Sequence, residues 1–148
     1  MDSSFEKNYA RELEIRRKYK EAEAQGSKEG MADAAGGYQV FRNSIMAEGD
    51  VYAGIYRLYS QAQDRGNECI DIDNDIPESK AGELADAFRS YGIKRFTYSS
   101  GWSGAARAAW QFIQHGWALE GMAEVSNGDI KLFSDVYEKT YAYVFSIQ

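Results

Sequence analysis

The first 66 residues place apolar side chains at helical spacing and predict three amphipathic helices. The first helix should begin near residue 4, because Ser3 and Glu6 have the spacing of a capping box. Gly26, Gly49 and Gly66 follow the three apolar runs and are expected to end the helices. The predicted core positions are Phe5, Tyr9, Leu13, Ile15, Tyr19 and Ala22, then Met31, Ala34, Tyr38, Phe41 and Ile45, then Tyr52, Ile55, Tyr56, Tyr59 and Ala62.

Beyond the third helix the pattern changes between strand and helix spacing. Ile70 and Ile72 alternate with aspartates, as in a short edge strand. Pro77 suits the first turn of a fourth helix, and Gly92 is expected to end it. The remaining apolar positions predict a fourth-helix face of Ala81, Leu84, Ala85 and Phe88, a strand through Phe96 and Tyr98, and a fifth-helix face of Trp102, Ala106, Ala109, Trp110 and Ile113.

The C-terminal segment alternates again and predicts three strands. Asn127 and Gly128 tolerate the positive φ of a type I′ turn, so SNGD at 126–129 predicts a two-residue hairpin between strands at 117–125 and 130–133. A last strand is expected at 140–147. The residues expected to share one face of the first of these strands are Trp117, Leu119, Gly121, Ala123 and Val125.

Together these elements predict an α+β fold, in which an N-terminal three-helix layer precedes a helix and a β-α-β-β unit that forms a small mixed sheet. At 148 residues the chain is near the usual size of one domain. We therefore expect a single domain over 1–148, with a helical part at 1–66, an acidic loop at 67–78 and an α-β-α-β-β-β part at 79–148.

The net charge of −6 is concentrated in one segment. Residues 48–78 hold eight acidic residues and two basic ones, whereas acids and bases balance elsewhere. An acidic surface repels phosphate, so unspecific nucleic-acid binding is not expected. The acidic segment could attract a basic groove on a protein, or it could be a solvated loop. The 11 tyrosines likewise have two interpretations, because tyrosine is common both at protein interfaces and in cores.

Four acidic residues of this segment, Asp71, Asp73, Asp75 and Glu78, are the candidate contacts for a partner protein. The three aspartates have the one-three-five spacing of a calcium loop. Ile76 stands where that loop requires its glycine, so an EF-hand is not expected. No metal or other cofactor is predicted.

The turn at residues 99–103 is the second candidate site. Ser99, Ser100, Trp102 and Ser103 lie between a predicted strand and a predicted helix, where free N–H groups can bind an anion. The turn lacks the lysine of a phosphate-binding P-loop. Serine also caps helices, and Trp102 could pack between helix and sheet, so a structural role is the competing interpretation.

The chain has one histidine and one cysteine, which leaves little for a catalytic set. His115 precedes Gly116 at a predicted helix C-terminus, where a cation is favourable. Cys69 lies near Glu68 and Asp71, which should raise the pKa of its thiol. An enzyme is therefore not the expected function.

Neither a secretory signal nor a membrane span is expected. The N-terminal 20 residues are rich in charge, and no apolar run approaches the length that crosses a bilayer. A lone cysteine cannot form an internal disulfide. We expect a soluble protein of the cytoplasm.

Several phrases resemble a family of small uncharacterised proteins, a domain of unknown function, from phages and mobile elements of Firmicutes. They are AEGDVYAGIYRLYSQA at 47–62, GNECIDID at 66–73, GIKRFTYSSGWSGA at 92–105 and LEGMAEV at 119–125. The resemblance implies no catalytic residues. It implies a genomic setting in which small acidic proteins, anti-CRISPR proteins among them, act on host machinery.

The expected function is therefore that of an accessory protein that binds a host protein or complex. Such binding could block a basic groove of a host defence or nucleic-acid-handling complex, as anti-CRISPR proteins do. The alternative is a small-ligand or nucleotide-binding domain that uses the turn from Ser99 to Ser103.

Overall fold

The computed structural model describes residues 1–147, and its elements confirm the α+β class. All five predicted helices are present, and the strands lie in the C-terminal half. The elements are α1 Ser4–Ala24, α2 Lys28–Ala47, α3 Asp50–Arg65, β1 Ile70–Ile72, α4 Glu78–Ser90, β2 Arg95–Tyr98, α5 Ala105–Gln114, β3 Trp117–Ile130 and β4 Tyr137–Ile147.

The chain forms two compact units. One is Asp2–Tyr56, and the other contains Met1 and the residues from Arg57 onward. The boundary falls inside α3. The expectation of a single domain over 1–148 stays a prediction.

The unit at Asp2–Tyr56 is a helical layer whose core contains one carboxylate. Phe5 stacks on Tyr52 with ring centroids 4.9 Å apart. Glu12 is buried and accepts a hydrogen bond of 2.8 Å from the hydroxyl of Tyr56. Burial and the Glu12 carboxylate raise the pKa of the Tyr56 phenol.

Two expectations for α1 are wrong. Leu13 and Tyr19 are exposed rather than part of the core. Glu12 occupies the buried face instead, because Arg16 and Tyr56 satisfy its charge and hydrogen bonds. Ser3 makes no side-chain cap, and the side chain of Asp2 accepts from the backbone N–H of Ser4 instead.

The second unit is built on a mixed four-stranded sheet in the order β1-β2-β4-β3. β1 and β2 are parallel and joined through α4, while β4 is antiparallel to both of its neighbours. The carboxyl ends of β1 and β2 therefore lie at the same end of the sheet. β1 is an edge strand as predicted, but all three of its residues are buried.

Phe96 of β2 is the centre of the sheet's aromatic core. Its ring lies 5.0 Å from Phe88 of α4, 5.1 Å from Phe112 of α5, 5.2 Å from Phe145 of β4 and 4.7 Å from Trp117 of β3. Such pairs add about 0.5–1.5 kcal/mol each beyond the burial of their area. The cluster thus joins both helices to one face of the sheet, which we call the helix-side face.

The predicted core face of α5 is wrong. The helix begins at Ala105 and buries Ala108 and Phe112, because Phe112 fills the place between Phe96 and the neighbouring rings. Trp110 is two residues away, about 200° around the helix. Its side chain is consequently 55% exposed.

A bulge in β3 overturns the predicted alternation of that strand. Leu119 pairs with Phe145 and Gly121 pairs with Val144, so Glu120 is an extra residue without a partner on β4. Because of this extra residue, the alternation of side chains between the two faces of the sheet is reversed after the bulge. Trp117 and Val125 therefore lie on opposite faces of the sheet and not on the predicted common face.

The predicted hairpin at SNGD is also wrong. β3 continues to Ile130, neither Asn127 nor Gly128 has a positive φ, and 131–136 reverse the chain in place of the predicted strand at 130–133. The cause is a distant side chain. The amide of Asn67 accepts from the backbone N–H of Ser126 at 2.8 Å and donates to its C=O at 3.0 Å, which keeps this segment extended.

We expect Asn67→Ala to destabilise the protein by about 1–3 kcal/mol, because it leaves two backbone groups of buried Ser126 without partners. Asn127→Ala is the control, since the SNGD hairpin would have made Asn127 the more important residue. Urea denaturation measures both. An equal or larger cost for the Asn127 variant would contradict the role given to Asn67.

Candidate functional site

The carboxyl ends of β1 and β2 bring the two predicted groups of site residues together. Asp71 lies in β1, Thr97 in β2 and Ser99 directly after β2. The two oxygens of the Asp71 carboxylate accept hydrogen bonds of 2.6 Å from the hydroxyls of Thr97 and Ser99. Asp71 is only 3% exposed, which corrects the expectation that it is a free surface charge.

The environment of Asp71 acts on its ionisation in opposite directions. Burial raises the pKa of the carboxyl, whereas the hydrogen bonds from Ser99 and Thr97 lower it, and burial is the larger effect. The nearby Asp73 raises the pKa further. Asp71 is thus a structural carboxylate that links β1 to β2, and it contributes little to the outer surface.

The other two aspartates have separate partners. Asp73 forms an ion pair of 2.8 Å with Arg65, and the side chains are 27% and 12% exposed respectively. Asp75 is exposed and accepts a hydrogen bond of 2.9 Å from the hydroxyl of Ser100. Within residues 1–147 no group of three or more His, Cys, Asp or Glu side chains is placed to hold a metal ion.

Trp102 forms one wall of a shallow depression at the same end of the sheet. Its indole N–H donates to the hydroxyl of Tyr98 at 2.9 Å, and its ring lies over Gly104, where a Cβ atom would overlap it. The depression has a volume of about 460 Å³. Its lining residues are Pro77, Glu78, Trp102, Ser103, Gly104 and Arg107.

The serines do not cap α5. Its N-cap is Gly104, which makes no side-chain bond, so the predicted capping role of Ser100 and Ser103 is wrong. Ser99 and Ser100 donate to carboxylates instead. A phosphate at this turn would therefore lie beside negative charge, and the alternative of a nucleotide site gains no contact in its favour.

A second depression runs between α4 and α5, and we call it the acidic groove. Its volume is about 630 Å³, and its lining residues are Glu78, Ser79, Gly82, Glu83, Gln111 and His115. This lining includes two glutamates and no Lys or Arg. Glu78 also lines the depression beside Trp102, so the two depressions meet at this side chain.

Glycine at position 82 allows the helices to approach closely at the acidic groove. A Cβ atom there would lie 2.5 Å from Nε2 of His115. The other ring nitrogen of His115, Nδ1, lies 2.9 Å from a carboxylate oxygen of Asp86. His115 is the C-cap of α5, as expected, but its side chain also joins α5 to α4.

The sequence analysis missed the α5 side of the acidic groove. Gln111 and His115 are separated by one helical turn, as are Gly82 and Asp86 on α4, and this spacing was available in the sequence. What it could not show is that the two helices pack together. For Cys69 the predicted direction is confirmed, although burial, more than the neighbouring acids, raises the pKa of its thiol.

Comparison with known proteins yields one family. A family model described as Domain of unknown function (DUF7698) matches residues 54–147, more than half of the chain. Searches of curated proteins and of solved structures found no match. In the described part of the chain, no helix has both the length and the apolar character needed to cross a membrane.

The buried position of Asp71 predicts a dependence of stability on pH. Because burial raises the pKa of Asp71, the folded state binds its proton more tightly than the unfolded chain does. Its contribution to the free energy of unfolding is therefore largest at low pH and is lost as the pH rises through the folded pKa. We expect Asp71→Asn, which cannot titrate, to gain stability relative to the wild type as the pH rises.

Urea denaturation at a series of pH values above the ordinary pKa of an aspartate measures this difference. Thr97→Val provides a companion variant, since loss of one donor should raise the pKa of Asp71 and extend the dependence to higher pH. A difference between Asp71→Asn and wild type that does not change with pH would show that the carboxylate is not desolvated as described.

Proposed function

We propose that this chain, a member of the family described as Domain of unknown function (DUF7698), is a binding protein whose acidic groove receives basic side chains of a partner protein. The observation that carries the proposal is the lining of the groove. Glu78 and Glu83 stand in an open depression of about 630 Å³ whose lining contains no Lys or Arg. Glu83 does have an ion pair of 3.5 Å with Lys80, but both side chains are well exposed, and such surface pairs neutralise a charge only weakly. Arg or Lys side chains of a partner would complement the charge of that site.

The acids around the acidic groove are well placed for long-range attraction. Asp75, Glu78, Glu83 and Asp86 are all exposed, and three of them lie along α4. Asp75 accepts a hydrogen bond from Ser100, and Asp86 faces His115. Glu78 accepts a long hydrogen bond of 3.4 Å from Gln111, and Glu83 pairs with the exposed Lys80. This arrangement favours a basic partner mainly through a faster rate of association.

An exposed tryptophan supports protein binding over solvation alone. Trp110 immediately precedes Gln111, which lines the acidic groove, and more than half of its side chain is open to solvent. Tryptophan is enriched at the energetic centres of protein interfaces. The indole and the carboxylates would together offer an anchor and a source of specificity.

The resemblance to proteins of phages and mobile elements supports a host protein as the partner. A basic groove that handles nucleic acid would accept Glu78 and Glu83 in place of phosphates. Inhibition of a host defence or nucleic-acid-handling complex, in the manner of an anti-CRISPR protein, is the form of this function that we favour. The proposal assigns no catalytic residue to the chain.

We expect the double substitution Glu78→Gln and Glu83→Gln to weaken partner binding about tenfold, mostly through slower association. The partner is first identified by capture from a host-cell lysate, and its binding is then measured by surface plasmon resonance at several salt concentrations. Wild-type binding should weaken as salt increases, and the variant should show less dependence.

The matched control is Glu23→Gln with Asp33→Asn, which makes the same change in net charge at exposed positions of the other unit. This control should bind as the wild type does. Equal losses in both variants would indicate an effect of net charge alone, and unchanged binding in the Glu78 and Glu83 variant would remove the acidic groove from the interface.

A further inference from the structure

β3 is an edge strand with an open side. It pairs with β4, and within residues 1–147 no other strand lies beyond it. In an antiparallel pair, residues alternate between those whose N–H and C=O face the partner and those whose groups face away. Residues of the second kind present their backbone groups at the open side of β3.

The contacts of Asn67 show in which direction the backbone groups of one β3 residue, Ser126, point. The side-chain amide of Asn67 bonds both the N–H and the C=O of Ser126, so the backbone groups of Ser126 face away from β4. The register is continuous from Ser126 back to Met122, so Glu124 and Met122 face away as well. The bond from the Ile147 N–H to Lys94 agrees, because it places odd-numbered residues of β4 toward β2.

Side chains at these positions form an exposed apolar patch beside the open edge. Met122 pairs with Tyr143 and Glu124 pairs with Tyr141, so all four side chains lie on the helix-side face. Leu119 lies on that face too, opposite Phe145. The patch is open to solvent, with Met122 60% and Tyr141 66% exposed.

The charge along β3 has one sign. The strand contains Glu120, Glu124 and Asp129 and no Lys or Arg. Arg95 lies 3.4 Å from Glu120 and partly neutralises it, whereas no ion pair is found for Glu124 in the described chain. A strand laid along this edge would therefore gain from basic side chains opposite Glu124.

We propose that the open edge of β3 at 119–125 binds an extended segment of a partner protein as a fifth strand, and that this segment presents both basic and apolar side chains on the helix-side face, which Met122 and Glu124 share. The backbone groups of Met122 and Glu124 would pair with the segment. Its apolar side chains would cover the patch formed by Leu119, Met122 and the tyrosines, as in other cases of strand addition.

A partner strand fits this edge better than a second copy of the chain does. Two antiparallel β3 edges would bring Glu120 and Glu124 of both copies into one ladder, without any basic residue from either strand. Like charges in neighbouring cross-strand positions are destabilising. The charge of β3 thus argues for an occupant of opposite sign.

The test uses the full chain and a synthetic peptide of the repeat Val-Thr-Lys-Thr, the Lys peptide, which places Val and Lys in turn on one face of a strand. Its control, the Glu peptide, has the repeat Val-Thr-Glu-Thr. We expect the Lys peptide to bind at least about tenfold more tightly by calorimetry, and to slow hydrogen exchange at the amides of Met122 and Glu124. Equal binding of the two peptides, or no binding by the Lys peptide, would overturn the proposal.

Variants at the edge separate backbone pairing from side-chain contacts. Met122→Pro removes an N–H that faces away from β4, a change that edge strands tolerate. It should weaken binding of the Lys peptide about tenfold. Met122→Ala keeps the N–H and should weaken binding less. If the proline variant does not fold, Glu124→Lys is the deciding variant. It should weaken binding of the Lys peptide and strengthen binding of the Glu peptide.

Two further outcomes are decisive. A wild-type dimer in sedimentation experiments that Met122→Pro converts to monomer would show a second copy on the edge, and would overturn the proposal. The Glu78→Gln and Glu83→Gln variant should still bind the Lys peptide at β3, because the edge does not depend on the acidic groove. Loss of peptide binding in that variant alone would place the peptide in the groove and refute the edge site.

Discussion

The need to satisfy the buried carboxylate of Asp71 determines how the end of the sheet is built. A carboxylate taken out of water must be given donors, and Thr97 and Ser99 supply them from β2 and the turn that follows it. This turn then brings Ser100 to Asp75 and is followed by Trp102, which lies over Gly104 at the start of α5. The depression beside Trp102 therefore lies directly after the turn that supplies donors to the buried acid.

The local pattern of apolar and polar residues was sufficient to predict most of the helices and strands. The apolar positions of α3 are buried as predicted, Pro77 stands at the start of α4, and the parallel and antiparallel strands make the expected mixed sheet. The spacing of apolar residues shows which side chains can share a face of a helix. A helix with one dominant apolar stripe can bury only that face. The spacing could not report Glu12 in a core, because Tyr56 is 44 residues away in the chain.

The errors arose where distant residues overrule local preference. SNGD favours a tight turn by itself, but Asn67, 59 residues earlier, bonds the backbone of Ser126 and keeps the strand extended. The acidic segment was treated as one surface, yet burial removes Asp71 from it and Arg65 neutralises Asp73. Of the predicted contact residues, Asp75 and Glu78 stay at the surface. The partners that complete the groove, Gln111 and His115, come from a helix that sequence reasoning could not place beside α4.

The hydrogen bonds of Asn67 have a consequence for self-association. An open strand edge can recruit further copies of a protein and grow into a fibre, and edge strands commonly carry some obstacle to such growth. Here the Asn67 amide occupies the pairing site at Ser126 in the manner of a single residue of strand, and it offers no continuing backbone for a further chain. The edge is thereby limited in length to the residues before Ser126, so β3 can accept one short strand while uninterrupted fibre growth along it is obstructed.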